Sequence, residues 1–135
     1  MWKMVSCGIP AEKERVKQMN PVVLAFVGDA AYTLLVRERL ALSSAYKTGE
    51  LNRRASEVVS AHGQSETLEK ILPLLTEEEA EIYRRGRNAK KPTKSKNASV
   101  TEYARSTGLE AVIGFLYLTG NTARISELFF TEDEA

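Results

Sequence analysis

Asn20-Pro21-Val22-Val23-Leu24-Ala25-Phe26-Val27-Gly28-Asp29-Ala30-Ala31-Tyr32-Thr33-Leu34-Leu35-Val36 is the stretch on which the fold turns. Asparagine then proline suits a helix start: Asn caps, and the fixed φ and missing N–H of Pro fit the first helical position. The apolar residues from Val22 to Leu40 fall nearly all round the helix, which predicts a central element. Two residues inside it are not what a core helix asks for. A mid-helix glycine costs roughly 1 kcal/mol against alanine, so Gly28 implies close approach of another helix or of a ligand. Asp29 puts a carboxylate among core-formers, where such groups are normally paired or ligate a metal.

Working outward, the pattern stays helical. A second helix is predicted over 48–61 and a third over 65–75, interrupted near its end by Pro73. Thr76-Glu77-Glu78-Glu79 is a capping box whose acids also complement the helix dipole, and its helix runs into Arg84-Arg85-Gly86. Another helix begins near Ala98 or Thr101 and continues through Leu109-Glu110-Ala111-Val112-Ile113-Gly114 to Leu118. Gly120-Asn121 ends it, and a short last helix covers 122–130. No β-alternation, repeat or linker to a second domain stands out. The chain reads as one all-α helical bundle: 1–19 a leader with a first short helix, 20–130 the functional domain, 131–135 an acidic tail.

At 135 residues, 43% hydrophobic and 27% charged, the chain is long enough to bury a core and ordinary in composition. A single cysteine, Cys7, rules out an intramolecular disulfide and a cysteine-based zinc cluster, and reads as a bystander. His62, the only histidine, lies in polar Ser60-Ala61-His62-Gly63-Gln64-Ser65 and reads as an exposed helix or turn residue. No apolar run has signal-peptide or membrane-spanning length, so the reading is cytoplasmic, with no membrane partner.

The net charge of +1 conceals a strong asymmetry. Arg84, Arg85, Arg87, Lys90, Lys91, Lys94 and Lys96 are seven of the chain's 19 basic residues, with no acid between Glu81 and Glu102. The remainder holds 12 basic against 18 acidic residues, a body near −6. Residues 84–97 read as a mobile basic loop, poor in apolar residues. It is either merely solvated or a surface for phosphates, which Lys and Arg neutralise without reading sequence. It has no aromatics for base stacking, which favours a duplex over a single strand.

Asp29 and Glu110 share a peculiarity. Each is a carboxylate where a core-former would be expected, in one of the two most apolar helices. Each either pairs with an arginine or caps a helix, or the two serve a metal.

Phe26-Val27-Gly28-Asp29-Ala30 resembles the core of the ribonuclease III signature, E-x-x-E-F-L-G-D-[AS]. Leu109-Glu110-Ala111-Val112-Ile113-Gly114 resembles that family's second motif, D-x-x-E-A-[LI]-[IL]-G. The Mini-ribonuclease III branch is more similar still, in Asn20-Pro21, in Arg85-Gly86-Arg87-Asn88-Ala89-Lys90, and in Tyr103 followed by Ser106-Thr107. The resemblance runs from Asn20 to Phe130. The chain departs from the fuller motif at Val22, Ala25 and Thr107, where that motif carries acids.

The resemblance implies a homodimeric, all-α catalytic domain without a separate double-stranded-RNA-binding domain. It implies a magnesium-dependent endoribonuclease, with Mn²⁺ a possible substitute, that leaves 5′-phosphate ends. The implied substrate is double-stranded RNA, in particular large-subunit (23S) ribosomal RNA precursor. Asp29 and Glu110 carry over as catalytic metal ligands, with Gly28 and Thr107 supporting them. RNA contacts are expected from Arg84, Arg85, Arg87, Asn88, Lys90, Lys91, Lys94 and Lys96. Whether Glu50 or Glu57 supports the metal is left open. The dimer face is expected on the apolar helix from Val22 to Val36. The alternatives are a catalytically inactive RNA-binding module of the same fold and an all-α protein-interaction domain.

Overall fold

The computed structural model describes residues 9–43, 47–90 and 99–130. Among them the regular elements are helices, in the order α1 (Lys13–Lys17), α2 (Pro21–Ser43), α3 (Thr48–Val59), α4 (Ala61–Ile71), a 3-10 turn (Leu72–Leu74), α5 (Glu77–Asn88), α6 (Val100–Leu118) and α7 (Thr122–Phe129). Cys7, the acidic tail and Lys91, Lys94 and Lys96 lie outside the described residues.

The local signals explain most boundaries. Asn20 Oδ1 accepts from Val22 N at 2.8 Å and starts α2. Ser60 ends α3 and caps α4, its hydroxyl accepting from Gly63 N at 3.0 Å. The first of these helices thus ends before the expected residue 61, and the next starts earlier than the expected residue 65. Pro73 falls in the first turn of the 3-10 segment, past the last position where α4 needs an N–H. The capping box at Thr76 is complete, with Glu79 N donating to Thr76 Oγ1 at 3.1 Å and Thr76 N to Glu79 Oε1 at 3.0 Å. Glu79 also pairs with Arg124 of α7 at 2.8 Å, which ties α5 to the C-terminal helix. Gly120, at φ 79°, makes the left-handed turn that releases α7 from α6.

The centre is α6, not α2. Ala111 to Leu116 are buried without interruption, whereas α2 leaves Val23 (44%), Phe26 (78%) and Leu34 (59%) exposed. Those three share one stripe at helical spacing, so the apolar girth of α2 includes an exposed face that the other described residues do not cover.

Glycines let two helices close on α6. A Cβ on Gly28 would sit 1.8 Å from the Glu110 carbonyl oxygen, and one on Gly114 would sit 2.0 Å from the Leu24 carbonyl oxygen. This is the crossing of α2 and α6, backbone against backbone. On the other side a Cβ on Gly86 would meet Gly108 Cα at 2.9 Å, which is the crossing of α5 and α6. Of the two explanations for Gly28, close approach of a helix is therefore the correct one.

The expected loop from Arg84 starts late. Helix α5 continues through Asn88, because Gly86 serves helix packing rather than a break. Arg85 donates to the carbonyls of Lys17 (2.7 Å) and Met19 (3.0 Å), at and just beyond the C-terminus of α1.

Candidate active site

The α2–α6 crossing decides where the two acids go. Glu110 is one turn before Gly114, and Asp29 directly follows Gly28. With the backbones in contact, both carboxylates fall on the same side of the crossing. They line a cleft of about 360 Å³ together with Val22, Ala25, Gln64 and Thr107. Its walls are helical stripes: Val22, Ala25 and Asp29 on α2, and Tyr103, Thr107 and Glu110 on α6.

The two carboxyl groups are not equivalent. Glu110 is half-buried and Asp29 is exposed, so the argument from burial holds for Glu110 and not for Asp29. Burial pushes the Glu110 carboxyl up to about 7. A hydrogen bond from Gln64 opposes that rise, while the charge of Asp29 and a hydrogen bond shared with it add to it. Among the described residues no cation figures among the groups acting on Glu110, so an arginine partner does not account for it there. Its negative potential is relieved by a proton or by an external cation.

Thr107, expected to support the acids, is buried and donates to the Tyr103 carbonyl at 3.0 Å within α6. Glu50 and Glu57 lie on α3, outside the residues lining the cleft, and both bind Arg53. Among the described residues no group of three or more His, Cys, Asp or Glu side chains could hold a metal. The pair Asp29 and Glu110 stands without a third acid.

Comparison with known proteins bears on this geometry. Residues 22–121 match the ribonuclease III domain family. The Mini-ribonuclease 3 of Brevibacillus brevis is 44% identical over 109 residues, 81% of each chain. That of Streptococcus pneumoniae is 44% identical over 115 residues, 84% of this chain and 90% of the relative. A crystal structure of a Fusobacterium nucleatum protein superposes with a TM-score of 0.76 at 33% identity, covering 88% of this chain and 93% of that one. The chain belongs to the ribonuclease III family. Within it the curated relatives place the chain on the Mini-ribonuclease 3 branch.

Set against the fuller ribonuclease III motif, the departures have a location. Val22, Ala25 and Thr107, where that motif carries acids, all line the same cleft as Asp29 and Glu110. The two acids therefore face a pocket in which these three positions are uncharged.

The residues expected to contact RNA divide. Arg84 is exposed and pairs with Glu81 at 3.2 Å. The Arg87 guanidinium lies 5.5 Å from the Tyr83 ring centroid, and Asn88 and Lys90 are exposed. Arg85 is engaged with α1 carbonyls and braces the fold. His62 is exposed as expected, 3.1 Å from Glu102.

Sequence reasoning missed Gln64. It is 2% exposed, and its Nε2 donates to Glu110 Oε2 and to the Val59 carbonyl, each at 2.9 Å. A signal existed: Gln64, Leu68 and Ile71 form the buried stripe of α4, so an amide occupies a core position of an amphipathic helix.

Proposed function

We propose that this ribonuclease III family member hydrolyses double-stranded RNA at the cleft between α2 and α6, with a divalent cation held by Asp29 and Glu110. The observation that carries the reading is the convergence of these two carboxylates, with no cation beside Glu110 to neutralise it. Carboxylate oxygens are the donors that hard divalent cations select, and magnesium tolerates few protein ligands because it keeps several waters. Gln64 lines the same cleft, and its buried Oε1 has no hydrogen-bond partner among the described residues. The donor set therefore fits Mg²⁺, with Mn²⁺ as a substitute.

Bound there, the cation supplies activation of water and stabilisation of charge at the scissile phosphorus. The chain's own residues set the stage. Gly28 and Gly114 hold the α2 and α6 backbones together, so the carboxylates are carried by two rigid helices. Asp29, on the open side, meets solvent and substrate. Glu110, from the buried side, faces it. The products are proposed to carry 5′-phosphate ends, and the physiological substrate to be large-subunit ribosomal RNA precursor.

Arg84, Arg87, Asn88, Lys90, Lys91, Lys94 and Lys96 would contact the RNA backbone. The exposed apolar stripe Val23, Phe26 and Leu34 borders the same cleft through Phe26. It supports a homodimer with two sites across one duplex, since exposed apolar patches of this kind mark interfaces. Sedimentation at micromolar concentration checks this: a well-behaved monomer would refute the dimer.

The central test is cleavage of duplex RNA by purified protein with Mg²⁺, and its arrest by EDTA. Cleavage that persists in EDTA would remove the metal from the mechanism. Duplex binding without cleavage would point to an inactive RNA-binding module, with Val22, Ala25 and Thr107 as its marks.

A further inference from the structure

Gln64 occupies a position where an apolar side chain would pack without penalty, and it brings an amide whose two halves have unequal fates. Its Nε2 has two acceptors, the Val59 carbonyl and Glu110 Oε2. Both can be served only by the NH₂ end, since the reversed amide would set its carbonyl against two oxygens. The orientation is therefore determined chemically, and Oε1 is left buried with no hydrogen-bond partner among the described residues. Buried acceptors of this kind are rare and cost stability. This one belongs to a residue that lines the cleft with Glu110.

Resting on the metal-dependent reading above, we propose that Gln64 is a positioning residue for the cation site. Its NH₂ fixes the rotamer of Glu110 by binding one carboxylate oxygen, leaving the other for the cation. Its carbonyl oxygen accepts a hydrogen bond from the cation's hydration shell. The argument is one of donors and acceptors. With two carboxylates as protein ligands, most of the cation's coordination falls to water, and those waters are donors that need acceptors beyond the first layer of ligands. Oε1 is an acceptor that needs a donor. The amide thus orients a ligand on one side and anchors a water on the other, and neither a leucine nor a glutamate could do both.

The test uses the full chain. Gln64→Met preserves volume and removes both amide functions. Binding of Mn²⁺ to RNA-free protein, read by electron paramagnetic resonance, should weaken about 10- to 100-fold, the usual loss on removing such a partner. Duplex RNA affinity measured without divalent ions should stay within about twofold of the wild type, since Gln64 has no role in the phosphate contacts that dominate such binding. In the wild-type protein the Gln64 side-chain NH₂ resonances should move on Mg²⁺ titration and saturate with the cation. That readout stands even if the variant fails to fold. Should wild-type protein bind Mn²⁺ and cut duplex RNA while Gln64→Met binds Mn²⁺ equally well, Gln64 is only a core residue and this inference falls alone. NH₂ resonances that stay still through saturation would likewise overturn it. Wild-type protein that neither binds Mn²⁺ nor cleaves would instead remove the functional reading beneath it.

Discussion

Helix α6 is crossed twice by the same device and put to two different ends. At the α2 crossing Gly28 meets Gly114; at the α5 crossing Gly86 meets Gly108. Both replace side chains with backbone contact, but what flanks them differs. Beside the first stand Asp29, Glu110 and Gln64 around an open cleft. Beside the second stand the Tyr83 ring and the Ala111 methyl. Close packing thus serves both crossings, and the first also brings two carboxylates to one cleft. On the α5 side, the basic segment proposed to hold RNA follows in sequence from the end of α5.

The largest effect expected is on the first crossing's chemistry. Asp29→Asn keeps shape and loses charge, and should lower single-turnover cleavage by about 10³-fold or more, roughly 4 kcal/mol of transition-state stabilisation. Fold, dimer and RNA binding should be largely intact. Wild-type turnover by this variant at moderate Mg²⁺ would break the assignment. Glu110→Gln should behave likewise, with only partial rescue at high metal.

The packing of the two crossings can be compared directly. Gly28→Ala must displace backbone from 1.8 Å, with carbonyl oxygen and amide as the obstacles. Gly86→Ala meets its nearest atoms at 2.9 to 3.1 Å, one of them a methyl group. Urea denaturation should show Gly28→Ala losing about 3 kcal/mol or more, and Gly86→Ala nearer 1 to 2 kcal/mol, as overpacking does. Equal losses would mean that the two crossings are equally tight and the contrast drawn here is false.

Much of this was legible in the residues. The capping signals at Asn20-Pro21 and Thr76–Glu79 marked helix starts because they act over a single turn. Asp29 and Glu110 were visible as acids at core-like positions of apolar helices, and their convergence follows from glycines at matching positions. What was not legible depended on long-range packing. The girth of α2 suggested a centre, but which apolar face is covered is decided by the other helices. Arg85 looked like one cation among seven, yet its direction is set by carbonyls 66 and 68 residues away. Gln64 matters only because α4 delivers it to Glu110, 46 residues further along the chain.

Electrostatics at the first crossing gives a smaller, signed effect. The folded-state affinity of Glu110 for a proton is raised, to about 7 from 4.5. Such a group contributes stability that is present below about pH 4.5 and lost as pH rises through about 7. In EDTA at pH 8, Glu110→Gln should therefore be more stable than the wild type, by on the order of 1 to 3 kcal/mol. The gap should close towards pH 5, where the wild-type carboxyl is protonated. Mg²⁺ at pH 8 should stabilise the wild type and not the variant. A gap independent of pH would show that Glu110 is not strained by its surroundings.

The smallest energy per residue belongs to the cations beyond the second crossing, and it tests whether the two crossings divide the labour. Neutralising Lys90, Lys91, Lys94 and Lys96 together should weaken duplex RNA binding and leave saturated turnover nearly unchanged. Phosphate contacts made equally in ground and transition states alter binding rather than the chemical step. Each lost contact should also flatten the log–log salt dependence by roughly 0.7 to 0.9. Arg85→Met serves as the contrasting variant. Its guanidinium holds the Lys17 and Met19 carbonyls, so it should lower thermal stability without touching the salt slope. Binding is measured with catalytically dead Asp29→Asn protein across a salt series, and turnover at saturating enzyme. If the quadruple variant binds with an unchanged slope, RNA is held elsewhere and the segment after α5 only links helices. If turnover collapses while affinity holds, these lysines position the scissile phosphate, and the chemistry is not confined to the crossing of α2 and α6.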